Sequence, residues 1–349
     1  MVFDHLSDVR AKSVGWLALI GICFGTVAMP CAFHGYAPKP TLVERLIWAD
    51  NVVLARPSET TPFSFTITDQ LRGEAFAGTL PFLVDSTTRR LLRVKPQARV
   101  LFAREPETEE WHRLITVDKA IEPLVQGIWE ALPDWQNDPG ARATFFADLL
   151  HHADRRAREL ALRELDLADY ATLQALDFEV DANSLRAQLD VTSQMDLRAI
   201  RILLLGFSEW TQELSGFLKS RVTQGVAHES DMLGAYVLSL VELDGERGLR
   251  WLAESHLSGS NHTYSTHSAL VQALAMHFQA GDADLRKAIE DVLTARVLFD
   301  PELAYVVSLQ FSAIAANAGL DVPESGLDED PSLEALKAME ISRLIPVQG

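Results

Sequence analysis

Three histidines crowd one short stretch of the chain. His256, His262 and His267 lie in the segment AESHLSGSNHTYSTH, six and five residues apart. A loop can fold three imidazoles towards one ion, and imidazole suits zinc, copper or nickel. Near the start of the chain, Cys31-Ala32-Phe33-His34 has the C-x-x-H spacing that can bring a thiolate and an imidazole onto one metal. These five residues are the candidate ligands. Two ligands do not complete a site, and the histidine spacings match no metal motif, so the plainer reading of the stretch is a polar loop between helices. His151-His152 with Asp148 and Asp154 is a weaker convergence, because adjacent residues on a helix point about 100° apart.

Other chemistries lack their signatures. The Gly-x-Ser-x-Gly nucleophile elbow, the Gly-x-x-x-x-Gly-Lys phosphate loop and the Gly-x-Gly-x-x-Gly turn are absent. His228-Glu229 opens a zinc-peptidase pattern but lacks the histidine four residues after the first, and no window fits a calcium loop. These absences point away from the commonest hydrolase, kinase and dehydrogenase classes and leave any cofactor unidentified. They leave open an enzyme whose site is assembled from distant residues. Two cysteines in 349 residues exclude a disulfide scaffold. A formal charge of −18 makes the chain a poor partner for nucleic acid.

The elements that would position these groups begin with an address. Arg10 and Lys12 precede the uncharged run Val14–Val27, too short to cross a bilayer comfortably but suited to the core of a signal peptide. Ala28 ends a workable cleavage site, so Met29 would start the mature chain with Cys31 as its lone cysteine. If uncleaved, residues 14–32 would instead anchor the protein in a membrane. Lipoprotein processing at Cys31 is disfavoured by Pro30. Arginine outnumbers lysine 24 to 7, as in proteins of GC-rich genomes, which points to a bacterial source. A periplasmic or secreted protein is expected, or one anchored in the inner membrane and facing the periplasm.

After Pro40 come short elements. Thr41-Leu-Val-Glu44 is a capping box opening a brief helix through Trp48. Strands are expected at 51–56, 63–68, 79–84, 98–104 and 111–117, with a short helix over 85–93. That is a small five-stranded β barrel or sheet spanning residues 29–118. Its order resembles the oligonucleotide/oligosaccharide-type barrel of netrin-like modules: a cysteine after the leader, a helix, the strand Ala49-Asp50-Asn51-Val52-Val53-Leu54, then the turn Leu71-Arg72-Gly73.

Beyond Asp118 the period becomes 3.6. A helix over 120–132 is expected to stop at Pro133, and Asp138-Pro139 reads as the cap and first residue of the next. Four helices align on one register, at Ala199, Ala235, Ala269 and Ala304, with 36, 34 and 35 residues between them. Ala161, 38 residues earlier, is a fifth candidate. Each of the four is followed by a second helix, such as 246–255 or 283–295. Such hairpins cannot bury their apolar faces alone and stack into solenoids. The segment His152–Leu165 resembles the HEAT-repeat pattern, with Asp154, Arg158, Ala161 and Leu165 in the matching places. Trp129, Trp135, Phe145 and Phe146 fall where the two parts should meet, and Trp210 and Trp251 belong to the repeats. All read as packing first and as a groove lining second.

The expected fold is therefore α+β and predominantly α. It divides into a leader (1–28), a small β domain (29–118), a HEAT-like helical solenoid (119–320), an acidic linker (321–331) and a C-terminal helix (332–349). Residues 29–118 carry 11 basic and 11 acidic residues, and residues 119–349 carry 18 and 36, so the excess of acid sits on the helical part. The leading expectation is an exported, non-enzymatic protein that binds or scaffolds another envelope protein. The alternative is a metal-binding protein or enzyme with its site at Cys31/His34 or at His256/His262/His267.

Overall fold

The capping box forms as its residues require. Thr41 accepts the Glu44 N–H, and the Glu44 carboxylate accepts the Thr41 N–H at 2.9 Å. It starts α1 (Leu42–Trp48), which buries Val43 and Leu46. In this computed structural model the described residues are 39–346, apart from 62, 77, 259–261 and 322–329. The expected leader, Cys31, His34 and most of the acidic linker lie outside the described residues.

Four strands follow: β1 (Asn51–Pro57), β2 (Phe65–Arg72), β3 (Arg99–Arg104) and β4 (Trp111–Val117), with α2 (Ser86–Val94) between β2 and β3. They pair antiparallel in the order β2-β1-β3-β4. The central strands are apolar on both sides because both faces of the sheet are covered. Val53, Val100 and Phe102 pack with Phe65, Leu80, Val84 and Leu92 in a small core. Val52, Leu54, Leu101 and Ala103 face the other way and join a main core that runs on through the helices.

The sheet has four strands rather than five, and it is not closed into a barrel. The expected strand at 79–84 runs beside the sheet without joining its ladder. Leu80 and Val84 are buried there and the Val84 N–H donates to the Phe63 carbonyl at 2.8 Å, but Pro81 has no N–H to give a neighbouring strand.

The rest is helical: α3 (Glu122–Trp135), α4 (Pro139–Ala147), α5 (Arg155–Leu165), α6 (Tyr170–Gln174), α7 (Ala182–Gln188), α8 (Arg198–Gly206), α9 (Gln212–His228), α10 (Leu233–Asp244), α11 (Glu246–Ser255), α12 (Tyr264–Ala280), α13 (Ala283–Val297), α14 (Pro301–Asn317) and α15 (Pro331–Ser342). Short 3₁₀ turns cover Asp148–His151 and Thr192–Leu197. Pro133 does not stop α3. It sits in the last turn, where only one helical bond is forfeited, and buried Leu132 and Trp135 carry the helix past it. Asp138 caps α4 through the Ala141 N–H at 2.8 Å, with Pro139 in first position.

The helices aligned at Ala199, Ala235, Ala269 and Ala304 are α8, α10, α12 and α14, and each packs on the next. α8 and α10 approach closely at other small residues. A Cβ on Gly206 of α8 would lie 3.0 Å from the Ser239 Cα of α10, and the Ser239 hydroxyl donates to the Ile202 carbonyl at 2.5 Å. α9, α11, α13 and α15 follow them in the chain; α11, α13 and α15 pack on the helix before them, whereas α9 packs on α10. No described helix is long and apolar enough to cross a membrane.

Candidate functional site: a cationic cleft beside the sheet

One buried carboxylate fixes the walls of a cleft beside the sheet. Glu164 of α5 accepts the Val43 N–H at 3.2 Å and the Arg142 Nε–H at 3.1 Å, and Arg142 also donates to the Thr41 hydroxyl at 3.1 Å. Burial pushes the Glu164 carboxyl upward and the Arg142 charge opposes it. The result ties the start of α1 to α4 and α5. A second clip lies at the end of β4. Asp118 accepts from Lys95 Nζ at 2.6 Å, from Arg156 Nη2 at 2.9 Å and from the Ala120 N–H at 3.1 Å. Burial alone would raise its pKa, but the bonds from Arg156 and Lys95 outweigh it and hold the carboxyl well below the usual range. Asp154 and Asp118 in turn keep Arg156 firmly protonated.

Between these clips β4, the start of α1 and α5 enclose a cleft of about 680 Å³, within the range of ligand sites. Its lining carries five cations (Lys39, Arg45, Arg113, Arg156 and Arg163) against two carboxylates, Glu159 and Asp196, with Phe82 and Trp111 among the apolar residues. The four arginines are held in place. Arg45 Nη1 donates to His112 Nε2 at 2.8 Å, which places the imidazole proton on Nδ1, and Glu105 lies 3.7 Å from Arg45. Arg113 donates to Asp85 at 3.0 Å and to the Thr88 hydroxyl at 2.7 Å, while Arg163 donates to Asp196 at 2.5 Å. Planar guanidinium groups set this way suit carboxylate or phosphate oxygens. The lining includes no serine or cysteine nucleophile, and its one threonine, Thr41, is committed to the α1 cap.

The histidine stretch is only partly assembled. The His262 and His267 rings meet edge to face at 5.6 Å, and His267 Nε2 lies 3.5 Å from the Asp300 carboxylate. His256 turns away, its ring 5.2 Å from that of Trp251 and its Nε2 3.4 Å from the Thr223 hydroxyl. Burial lowers the pKa of both His256 and His267, with His262 adding to the effect. Among the described residues no three His, Cys, Asp or Glu side chains are placed to hold one ion. His151 and His152 diverge, the first bonding the Glu179 carbonyl and the second accepting the Asp154 N–H at 3.0 Å.

The tryptophans mostly pack. Trp135, Phe145 and Phe146 form a ring cluster with centroids 5.0–5.6 Å apart. Trp129 stacks under Arg72 at 4.9 Å, and Trp210 Nε1 donates to Asp244 at 2.7 Å. The cleft cations went unread in the sequence. They come from segments far apart in the chain, each of which looks like ordinary surface charge. No protein-family model, no curated protein and no solved structure matches the chain.

Proposed function

We infer that this protein is a non-enzymatic binding protein of a bacterial envelope, built as a small sheet module on a HEAT-like stack of helical hairpins. The cleft at their junction receives an acidic segment of another envelope protein. The observation that carries this reading is the cleft lining, in which clamped arginines surround Phe82 and Trp111. Rigid cations beside aromatic surface suit a carboxylate-bearing peptide. The succession α8, α10, α12, α14 supports the repeat reading, and the leader at 1–28 supports export, with residues 14–32 as the anchor if it is retained.

Photo-crosslinking from positions 82 and 111 in the host's envelope fraction tests the binding role, with exposed Phe299, between α13 and α14, as control. One adduct specific to the cleft, lost in Arg113→Glu/Arg163→Glu, is expected. No adduct, or the same adducts as from position 299, overturns it. A mass beginning near Met29 in the same fraction tests export.

The metal-binding alternative keeps one observation of its own. His267 Nδ1 is buried without a hydrogen-bond partner, beside the His262 ring. Metal analysis of untagged protein, compared with His262→Ala, decides it. Cys31 and His34 enter through the same measurement on Cys31→Ser.

A further inference from the structure

Arg201 is the anomaly of this molecule. It sits in the apolar run of α8 with no exposed surface, yet its side chain carries a permanent charge. Buried charges are normally paired. Here the guanidinium donates only to Gln194, to the amide oxygen at 2.5 Å and to the backbone carbonyl at 3.3 Å, and its Nε has no partner. Among the described residues no carboxylate oxygen lies within 4.0 Å of it.

Two other arginines show what is missing. Arg142 has Glu164. Arg286 of α13 gives Nε, Nη1 and Nη2 to the carbonyls of Phe278, Ile345 and Gln279 at 2.9, 2.8 and 3.2 Å. The Phe278 and Gln279 carbonyls lie at the negative end of α12. Arg201 has neither solution.

What Arg201 does have is a cavity. A space of about 240 Å³ lies beside it, roofed by α5 and lined also by Arg155, Arg158, Glu159, Gln188 and Gln194. At about 30 Å³ per water this is room for about eight waters, or for one small anion. Glu159 is the single carboxylate of the lining, and it is engaged by Arg155 at 3.3 Å and by the Gln194 amide. That bond also fixes the Gln194 amide with its oxygen towards Arg201. Arg158 Nη1 is held by the His152 and Ala153 carbonyls at 2.6 and 3.1 Å and Arg155 by Glu159, so three arginines border one small space against one carboxylate among the described residues. Burial depresses the Arg201 pKa, with Glu159 and Asp196 opposing, as for a cation held short of counter-charge.

We propose that the cavity between α5 and α8 is an anion-binding site in which Arg201, with Arg155 and Arg158 at its rim, takes a small oxyanion, either a phosphoryl group or a carboxylate. It is separate from the junction cleft, sharing only Glu159 with it, and it stands whether or not that cleft binds a partner.

Calorimetry on the full chain tests it, with inorganic phosphate and succinate as probes in a buffer free of other oxyanions. Saturable binding of one probe at one site, tighter than about 1 mM, is expected. Phosphate alone or succinate alone then identifies the source. Removing one charge-assisted donor should weaken binding roughly ten- to a hundred-fold. Arg201→Met should abolish it, and Arg158→Gln, at the rim, should weaken it even if Arg201→Met fails to fold. Arg250→Ala, on the exposed face of α11 and outside both spaces, should leave it unchanged. Absence of saturable binding by either probe, or unchanged binding in Arg158→Gln, overturns the proposal.

Discussion

Replacing Asp118 by asparagine should loosen the joint between the sheet and the helices. The carboxylate is 5 % exposed and receives Lys95, Arg156 and the first N–H groups of the turn into α3. Breaking a buried ion pair from one side costs about 3–5 kcal/mol. The Arg156 and Lys95 side chains keep 30% and 46% of their exposure, so water repairs part of the loss and the low end, about 3 kcal/mol, is expected. For a chain of this size that is about 6 °C in Tm. Lys95→Met, which removes only the more exposed partner, should cost under about 1 kcal/mol. Folding holds the Asp118 pKa below its ordinary value near 3.8. Its contribution is therefore complete above about pH 4 and disappears as pH falls through the folded value. Denaturant unfolding of wild type and Asp118→Asn from pH 7 to pH 3 measures both effects. A loss below about 1 kcal/mol, or an acid limb as steep as that of wild type, would refute the assignment of Asp118 as the joint.

Three further outcomes follow from other parts of the fold. Gly206→Ala places a methyl 2.9 Å from the Glu242 Cβ and 3.0 Å from the Ser239 Cα. It should cost about 1–3 kcal/mol through overpacking, read as a lower denaturation midpoint, and a neutral result would mean α8 and α10 can part freely. His277, fully buried, gives Nε2 to the Leu238 carbonyl and faces the Tyr170 hydroxyl and Glu242 through Nδ1. Burial lowers its pKa below 6.5, so the unfolded chain takes up a proton that the folded one refuses and stability falls below that pH. The slope is at most about 1.4 kcal/mol per pH unit, and unfolding midpoints of His277→Gln between pH 7.5 and pH 5 should show a shallower slope than wild type. Asp244→Ala strips the acceptor from Trp210, Ser215 and Lys219. It should cost about 2–4 kcal/mol and blue-shift no other tryptophan than Trp210, which fluorescence of single-tryptophan variants can check.

What the sequence disclosed was local. The capping box at Thr41, the Asp138-Pro139 start and the bounds of α11 depend on a few neighbouring residues, and they stand where those residues put them. The strand at 79–84 depended on whether a neighbour could pair with it, and composition cannot supply a partner. The alanine register found the right helices. Ala199, Ala235 and Ala304 are buried and Ala269 is half-buried, but α8 and α10 also meet closely at Gly206 and Ser239, which no spacing rule singled out. The cleft was illegible for a similar reason: Arg45 and His112 are 67 residues apart. Arg201 did leave a trace, because Ala199-Ile-Arg-Ile-Leu-Leu puts an arginine inside a run with no polar face to spare.

Charge explains why the cavity and the cleft occur together. The part of the chain after Asp118 has twice as many acids as bases, 36 against 18, and that field repels anions at long range. At physiological salt it is screened beyond about 8 Å, so an anion close to the surface responds to the side chains nearest to it. α5 reverses the sign locally: RRARELALREL holds four arginines against two glutamates, one of which is buried in the joint with Arg142. Arg156 and Arg163 line the cleft, and Arg155 and Arg158 line the cavity. One helix therefore supplies cations to both spaces. If the cleft and the cavity bind anions as proposed, α5 supplies the cations that both sites need against an acidic surface.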